Sequence, residues 1–298
     1  MPNLPRTISA ATVDVTVILA VRNEAANIRK CLEALSPARE VFVVDSGSTD
    51  GTAEIADQMG AHVVQFQYQG GYPKKRQWAL DNLKIQTRWV LLLDADEEVP
   101  DSLWQEIQAA TNRDDHAGYF IRKGFYFMGQ RFRFGGFSFD AVLLFRHGKA
   151  RFEHLVDEDA SAMDMEVHER VIVDGTIGRL DTPLIHDDYK GLEAYLARHN
   201  RYSSWEASLR HRFFQTGQWG SESVRANLFG NTQERRRALK LMVCRMPLEP
   251  WIWFFYHYIV RGGFLEGRRG LIACRIRSSY IADVRAKVFE LAHPRASR

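Results

Sequence analysis

The sequence predicts an α/β fold: a mostly parallel open sheet flanked by helices, followed by a helical C-terminal region. Three observations predict it. Apolar, β-branched runs alternate with helix-spaced segments at short intervals. Three of those runs lead into polar, acid-bearing turns. From Leu192 onward the spacing is helical almost throughout. Strands alternating with helices at this spacing imply right-handed βαβ units.

The elements follow in order. Val13–Ala20 is a β-branched run without turn residues and reads as a buried strand. Ala25–Leu35 places Ile28, Leu32 and Leu35 on one side of a helix. Val41–Asp45 is a second strand, Thr52–Met59 a helix and Ala61–Phe66 a third strand. Pro73–Leu83 is helical, with Pro73 acceptable in its first turn. Trp89–Asp94 is a fourth strand and Ser102–Ala110 a helix. Gly118–Phe127 and Ala141–Phe145 are strands separated by a Gly- and Phe-rich loop, Gly129–Phe139. Val171–Ile185 reads as a hairpin turning at Asp174-Gly175. The predicted division is a catalytic unit over 1–190 and a helical unit over 191–298.

Composition narrows the class. The chain has 298 residues, 45% hydrophobic and 26% charged, as in a globular protein. Cys31, Cys244 and Cys274 form no CxxC pair, so neither a disulfide framework nor a zinc site is expected. The reducing cytoplasm is the expected compartment. No apolar core follows the charged residues at the N-terminus, so export is not expected. The net charge of +3 is uneven: Arg201–Arg298 holds 18 Lys/Arg against 7 Asp/Glu. A basic tail behind an acidic body suits a polyanionic partner, nucleic acid or an anionic membrane leaflet.

The chemistry-bearing residues lie where strands end. Trp89–Leu93 is apolar and stops at Asp94-Ala95-Asp96. A buried strand does not call for two acids at its end. The carboxyl ends of parallel strands are, however, where open α/β sheets bind ligands. Two carboxylates there can hold a hard divalent cation against a diphosphate. The first strand leads into Arg22-Asn23-Glu24, and the second ends in Asp45-Ser46-Gly47-Ser48-Thr49-Asp50-Gly51-Thr52. Helix capping accounts for Ser48–Thr52 but not for Asp45 or Arg22–Glu24.

These three edges, in this order, resemble the nucleotide-sugar domain of inverting family 2 glycosyltransferases, which have the Rossmann-like GT-A fold. The segment Gly71-Tyr72-Pro73-Lys74-Lys75-Arg76-Gln77-Trp78 resembles that family's basic helix start. The resemblance implies that Ala20, Arg22 and Glu24 line the nucleotide pocket and that Asp45 faces the base or ribose. Ser46 stands where many members carry a second acid. Lys75 or Arg76 would reach the diphosphate. Asp94 and Asp96 would bind Mg²⁺ or Mn²⁺, and His186, as a late histidine, would complete the metal shell. The donor implied is a nucleoside-diphosphate sugar, commonly UDP-linked.

An inverting transfer is a single displacement and needs a base for the acceptor hydroxyl. Glu166-Val167-His168-Glu169-Arg170 is the best source: Glu169 first, Glu166 in reserve. Tyr202 and Trp205 suit either an acceptor wall or a core. Trp251–Val260 is too short to span a bilayer, yet it is rich in Trp and Tyr and flanked by arginines. An interfacial segment fits that composition. Tyr258–Gly267, with its Arg-Gly-Gly-Phe-Leu-Glu-Gly run, resembles the ends of bacterial lipopolysaccharide core glucosyltransferases. That likeness implies a β-linked hexose added to a lipid-linked saccharide at the inner membrane surface. Three alternatives are a nucleotidyltransferase, a catalytically inactive binding module and a nucleic-acid binder. Val21–Ala26 has no glycine for the phosphate loop of the first. The Asp94/Asp96 pair counts against the second, and the tail has no nucleic-acid motif for the third.

Overall fold

A computed structural model describes residues 12–155, 164, 166, 169–186 and 191–293. Its main sheet uses β1 (Val13–Val21), β2 (Ala38–Asp45), β3 (His62–Gln65), β4 (Trp89–Leu93), β6 (Gly118–Lys123), β9 (Phe139–Arg146) and β12 (Ile177–Arg179). The strand order is β12-β6-β9-β4-β1-β2-β3. β1 pairs in parallel with β2 and β4, and β2 with β3; β9 alone runs against its neighbours. Short strands complete the set: β5 (Glu97–Glu98), β7 (Phe125–Phe127), β8 (Gln130–Phe132), β10 (Ala150–Phe152), β11 (Val171–Val173) and β13 (Ile185–His186).

The alternation of side chains explains both layers. Val15, Val17, Leu19 and Val21 face the core shared with α1 (Ile28–Ala34), α2 (Thr52–Gln58) and α4 (Asp101–Thr111). Ile18, Val44, Val90 and Leu92 face the opposite core with α3 (Lys75–Asn82). A strand covered on both faces must be apolar at successive positions, as Trp89–Leu93 is. Leu91 is wholly buried at its centre, so Leu91→Ala should cost about 2–5 kcal/mol.

Three expected elements differ. Val171–Ile185 is not a hairpin: β11 pairs antiparallel with β10, and β12 joins the main sheet beside β6. The apolar run through Phe127 is two strands, broken at Gly124, where a Cβ would lie 3.2 Å from the Leu184 carbonyl oxygen. The loop expected at Gly129–Phe139 contains β8, which pairs with β7.

Beyond residue 191 the chain is helical as expected: α5 (Leu192–Thr216), α6 (Thr232–Val243), α7 (Glu249–Phe255), a π-helical turn Tyr256–Val260, a 3-10 turn Gly263–Glu266 and α8 (Gly267–Ala292). Buried charges join these helices. Arg210 bonds Glu206 on its own helix at 2.7 Å and Glu249 on α7 at 2.7 Å, and Tyr280 of α8 donates to Glu206 at 2.8 Å. Removing one partner would strand a buried charge, a loss of about 3–5 kcal/mol. Glu153 ties the region to the sheet, accepting from Arg170 N–H, Val224 N–H and the Arg237 guanidinium.

The Arg-Gly-Gly-Phe-Leu-Glu-Gly run is largely an internal latch. Glu266 accepts from the backbone N–H groups of Arg133 at 2.6 Å and Phe134 at 2.7 Å. His257 Nδ1 donates to the Gly135 carbonyl at 2.6 Å. A Cβ on Gly263 would lie 2.7 Å from the His257 carbonyl oxygen, and one on Gly270 2.0 Å from that of Gly263. Only glycine permits this approach. Trp251, Phe255, Ile259, Val260, Phe264 and Leu265 nevertheless remain exposed. Among the described residues, no helix is long and apolar enough to cross a membrane.

Candidate active site

The carboxyl ends of β1, β2 and β4 form one edge. The turns after β1 and β2 are knitted together there. Asn23 N–H donates to Ser48 Oγ at 2.8 Å, Thr49 N–H to Asn23 Oδ1 at 2.9 Å, and Glu24 N–H to Thr52 Oγ1 at 2.8 Å. Asn23 adopts φ +56°, a left-handed conformation that Asn tolerates. The capping expected of Ser48–Thr52 is limited to Asp50, which accepts from Thr52 N–H at 3.1 Å. The N-cap of α2 is Gly51, because its neighbours are engaged across the cleft. Arg22 is exposed at the mouth, Glu24 accepts from Asn27 Nδ2 at 2.7 Å, and Ala20 is buried opposite Val44. Asp45 is buried and accepts from Ser48 N–H at 3.0 Å and Gln65 Nε2 at 3.0 Å.

Three consecutive basic residues at the start of α3 reach three different walls. Lys74 pairs with Glu169 at 2.9 Å, both side chains nearly buried. Lys75 turns inward, donating to the Val21 carbonyl at 2.8 Å and pairing with Asp164 at 3.1 Å. Burial lowers its pKa against the pull of Asp164. Arg76 pairs with Asp94 and donates to the Glu166 carbonyl oxygen at 2.8 Å. The Glu166 carboxylate accepts from the N–H groups of Arg76 and Gln77, both at 2.9 Å. It therefore occupies the unsatisfied donors and positive end of α3. Burial raises the Glu166 pKa, opposed by those donors and Arg76.

Asp94 and Asp96 have different surroundings although one residue separates them. Asp94 lies between two cations, Arg76 on Oδ1 and Lys123 on Oδ2 at 3.0 Å. Burial would raise its pKa, but Arg76 and Lys123 hold it well below the usual carboxylate range. Lys123 also pairs with Glu97 at 2.6 Å. Asp96 faces His186, with Oδ1 3.6 Å from Nε2, longer than a hydrogen bond. The β5–β13 pairing, His186 opposite Glu97, brings that histidine here. Burial alone would lower the imidazole's pKa, but the facing Asp96 and nearby Glu97 raise it to about 9.

Among the described residues, no three acidic, histidine or cysteine side chains surround a common point. Asp96 Oδ1 is nonetheless buried without a hydrogen-bond partner. An unsatisfied buried oxygen costs about 1–3 kcal/mol. Beside an imidazole nitrogen it fits a divalent ion whose remaining ligands come from outside the protein.

The structure thus brings Asp94, Asp96, His186 and Arg76 to one corner. Glu166 and Glu169 stand behind the same helix start. His168, Asp187 and Asp188 lie outside the described residues. Lys123, Glu97 and Asp164 were not singled out from the sequence. A signal existed for Lys123: Arg122-Lys123 interrupts an otherwise apolar strand. Trp205 packs with Leu155, Leu209 and Phe213 in a buried cluster, its ring 5.5 Å from Lys74 Nζ, while Tyr202 packs partly buried beside Tyr280.

The profile described as Glycosyl transferase family 2 matches residues 16–165. The lipopolysaccharide core biosynthesis glycosyltransferase LpsC of Rhizobium meliloti (strain 1021) is 29% identical over 199 residues, 62% of this chain and 67% of LpsC. The uncharacterized glycosyltransferase RC0292 of Rickettsia conorii (strain ATCC VR-613 / Malish 7) is 26% identical over 270 residues, 88% of this chain and 84% of that protein. Among solved structures, S. aureus TarS 1–349 in complex with UDP-GlcNAc is 16% identical, covering 95% of this chain and 93% of that one with a TM-score of 0.41. With the family profile spanning half the chain, and with acids at the ends of parallel strands, this protein belongs to glycosyl transferase family 2.

Proposed function

We propose that this glycosyltransferase moves a hexose, with inversion, from a nucleoside-diphosphate sugar to a lipid-linked saccharide of the lipopolysaccharide-core type. The donor nucleotide is UDP. The catalytic unit is 1–190; 191–298 serves acceptor and membrane contact. The observation that carries the reading is the buried, unbonded Asp96 Oδ1 facing His186 at the sheet edge. Asp96 and His186 hold Mg²⁺ or Mn²⁺, with Asp94 beside them. When bound, such an ion would supply charge neutralisation for the departing diphosphate.

The chain's own groups do the rest. Ala20, Arg22, Glu24 and Asp45 form the nucleotide side of the cleft. Arg76, now on Asp94, is the cation positioned to pair with a diphosphate; Lys75 anchors the helix beneath it. Glu169 takes the proton from the acceptor hydroxyl. Lys74, paired with that carboxylate, orients it. Glu166 holds the start of α3, which fixes Lys74 and Arg76 together.

The exposed apolar row Trp251, Phe255 and Ile259 repeats every four residues, so it forms one face. Beside Arg261, Arg268 and Arg269 it suits the interface of an anionic membrane, which supports action at the cytoplasmic face of the inner membrane. The LpsC relationship supports a lipopolysaccharide-core acceptor.

The test is UDP release from a UDP-hexose panel, with Mn²⁺ and with EDTA. Metal-dependent release, lost in Asp96→Ala, is expected. Release that EDTA leaves intact would refute the metal assignment. UDP binding with no turnover on any acceptor would favour an inactive module.

A further inference from the structure

At the same end of the sheet as the donor corner lies a cluster of arginines that the proposed chemistry does not use. β9 runs between β4 and β6, with Leu91 opposite Leu144. Asp140 therefore begins β9 at about the level where β4 gives way to Asp94, roughly one strand spacing away. Asp140 is buried, and its Oδ1 accepts from both Arg122 Nε at 3.1 Å and Arg179 at 2.9 Å. Arg122 lies directly opposite Asp140 across the strand pair.

Two more guanidiniums from the helical region lie in the same neighbourhood. Arg261 lies across the bare backbone of Gly136, where a Cβ would sit 3.0 Å from its Nε. Arg236 of α6 lies within electrostatic reach of Asp140, Arg122, Arg261 and Tyr256. Among the described residues it makes no hydrogen bond or ion pair. Four guanidiniums thus share one neighbourhood with a single carboxylate that bonds two of them, and among the described residues Arg236 is half-buried without a bonded partner. Like charges gathered this closely repel unless an anion joins them. Guanidinium groups are the side chains best shaped to hold phosphate oxygens in pairs.

We propose that Arg122, Arg179, Arg236 and Arg261 form a phosphate subsite that binds a phosphorylated sugar of the acceptor beside the donor corner. The assignment rests on the glycosyltransfer reading, since it gives the acceptor its place. Asp140 is the positioning residue that holds Arg122 and Arg179. Arg236 completes the site only when the phosphate is present.

The test uses the full chain with UDP and Mn²⁺ saturating. Inorganic phosphate and glucose 6-phosphate are titrated by calorimetry at low ionic strength. Both should still bind. Arg236→Ala should weaken both at least about tenfold, and Arg236→Lys less. Because Arg236 makes no hydrogen bond or ion pair among the described residues, the UDP-induced rise in melting temperature should persist in both variants and certify folding. Unchanged affinity in Arg236→Ala overturns the proposal, as does loss of phosphate binding when UDP is added. Dihexanoyl phosphatidylglycerol binding that glucose 6-phosphate cannot displace overturns the sugar-phosphate assignment in favour of a lipid headgroup. Arg236-dependent phosphate binding without any UDP response would instead sink the donor reading, and with it the acceptor assignment, while leaving the phosphate subsite itself in place.

Discussion

Asp96→Asn should lower stability at pH 6 and leave it unchanged at pH 10. The reason is the imidazole it faces. The His186 pKa is raised from 6.5 to about 9, and its side chain is four-fifths buried. A group whose pKa is higher in the folded state stabilises the fold fully below its unfolded pKa. That stability is lost as pH rises through the folded pKa, here between 6.5 and 9. The whole shift corresponds to roughly 3 kcal/mol. Asp96 shares it with Glu97, so Asp96→Asn should remove about 1–2 kcal/mol, or about 2–3 °C of melting temperature. Melts of the metal-free protein at both pH values read this directly. The same substitution should abolish the Mn²⁺-dependent part of the UDP-induced rise. That rise is worth about 2.7 kcal/mol at a hundredfold excess over Kd. In the wild type, apparent Mn²⁺ affinity should increase from pH 6.5 to 9, because a liganding imidazole must lose its proton. An equal stability loss at both pH values, or an unchanged Mn²⁺ increment, would refute the pairing and its role.

Two further substitutions separate the acids behind α3. Glu169→Gln should reduce kcat at least a hundredfold with UDP affinity unchanged, as for a lost general base; an equal loss of UDP affinity would point to a donor-site role. Glu166→Gln should instead cost about 1–2 kcal/mol of stability, seen in denaturant melts, because both carboxylate oxygens hold helix N–H groups; unchanged stability would contradict the capping role. For the membrane face, Trp251→Ser with Phe255→Ser should cut flotation with phosphatidylglycerol vesicles several-fold while UDP release persists. Undiminished flotation would remove that face from the account. Deleting the tail is a poor test, because α6 and α8 carry Arg237 and Tyr280, which complete buried charge clusters.

The first four strands, the helices between them and the acids at their ends were legible because each depends on local pattern. Val13–Ala20 can bury both faces only in a sheet, and Asp94 ends an apolar strand in plain sight. What was not legible depends on pairing across long separations. The β5–β13 contact turns His186 from a lone histidine into the neighbour of Asp96, and nothing local to either segment encodes it. The three basic residues Lys74, Lys75 and Arg76 read as one helix face, yet they point to Glu169, Asp164 and Asp94, because a helix start splays successive side chains about 100° apart. Asp174-Gly175 has the composition of a hairpin turn, but β10 and β6 compete for the two flanking strands and win. The Arg-Gly-Gly-Phe-Leu-Glu-Gly run showed its tight glycines without showing that Glu266 clasps Arg133 and Phe134 far upstream.

The most direct measurement is anomalous diffraction at the manganese edge from crystals grown with Mn²⁺ and UDP. The account predicts a single strong peak within ligand distance of an Asp96 oxygen and a His186 nitrogen, with the UDP diphosphate against it. A bound UDP with no manganese at that corner, or manganese held elsewhere on the chain, would contradict it.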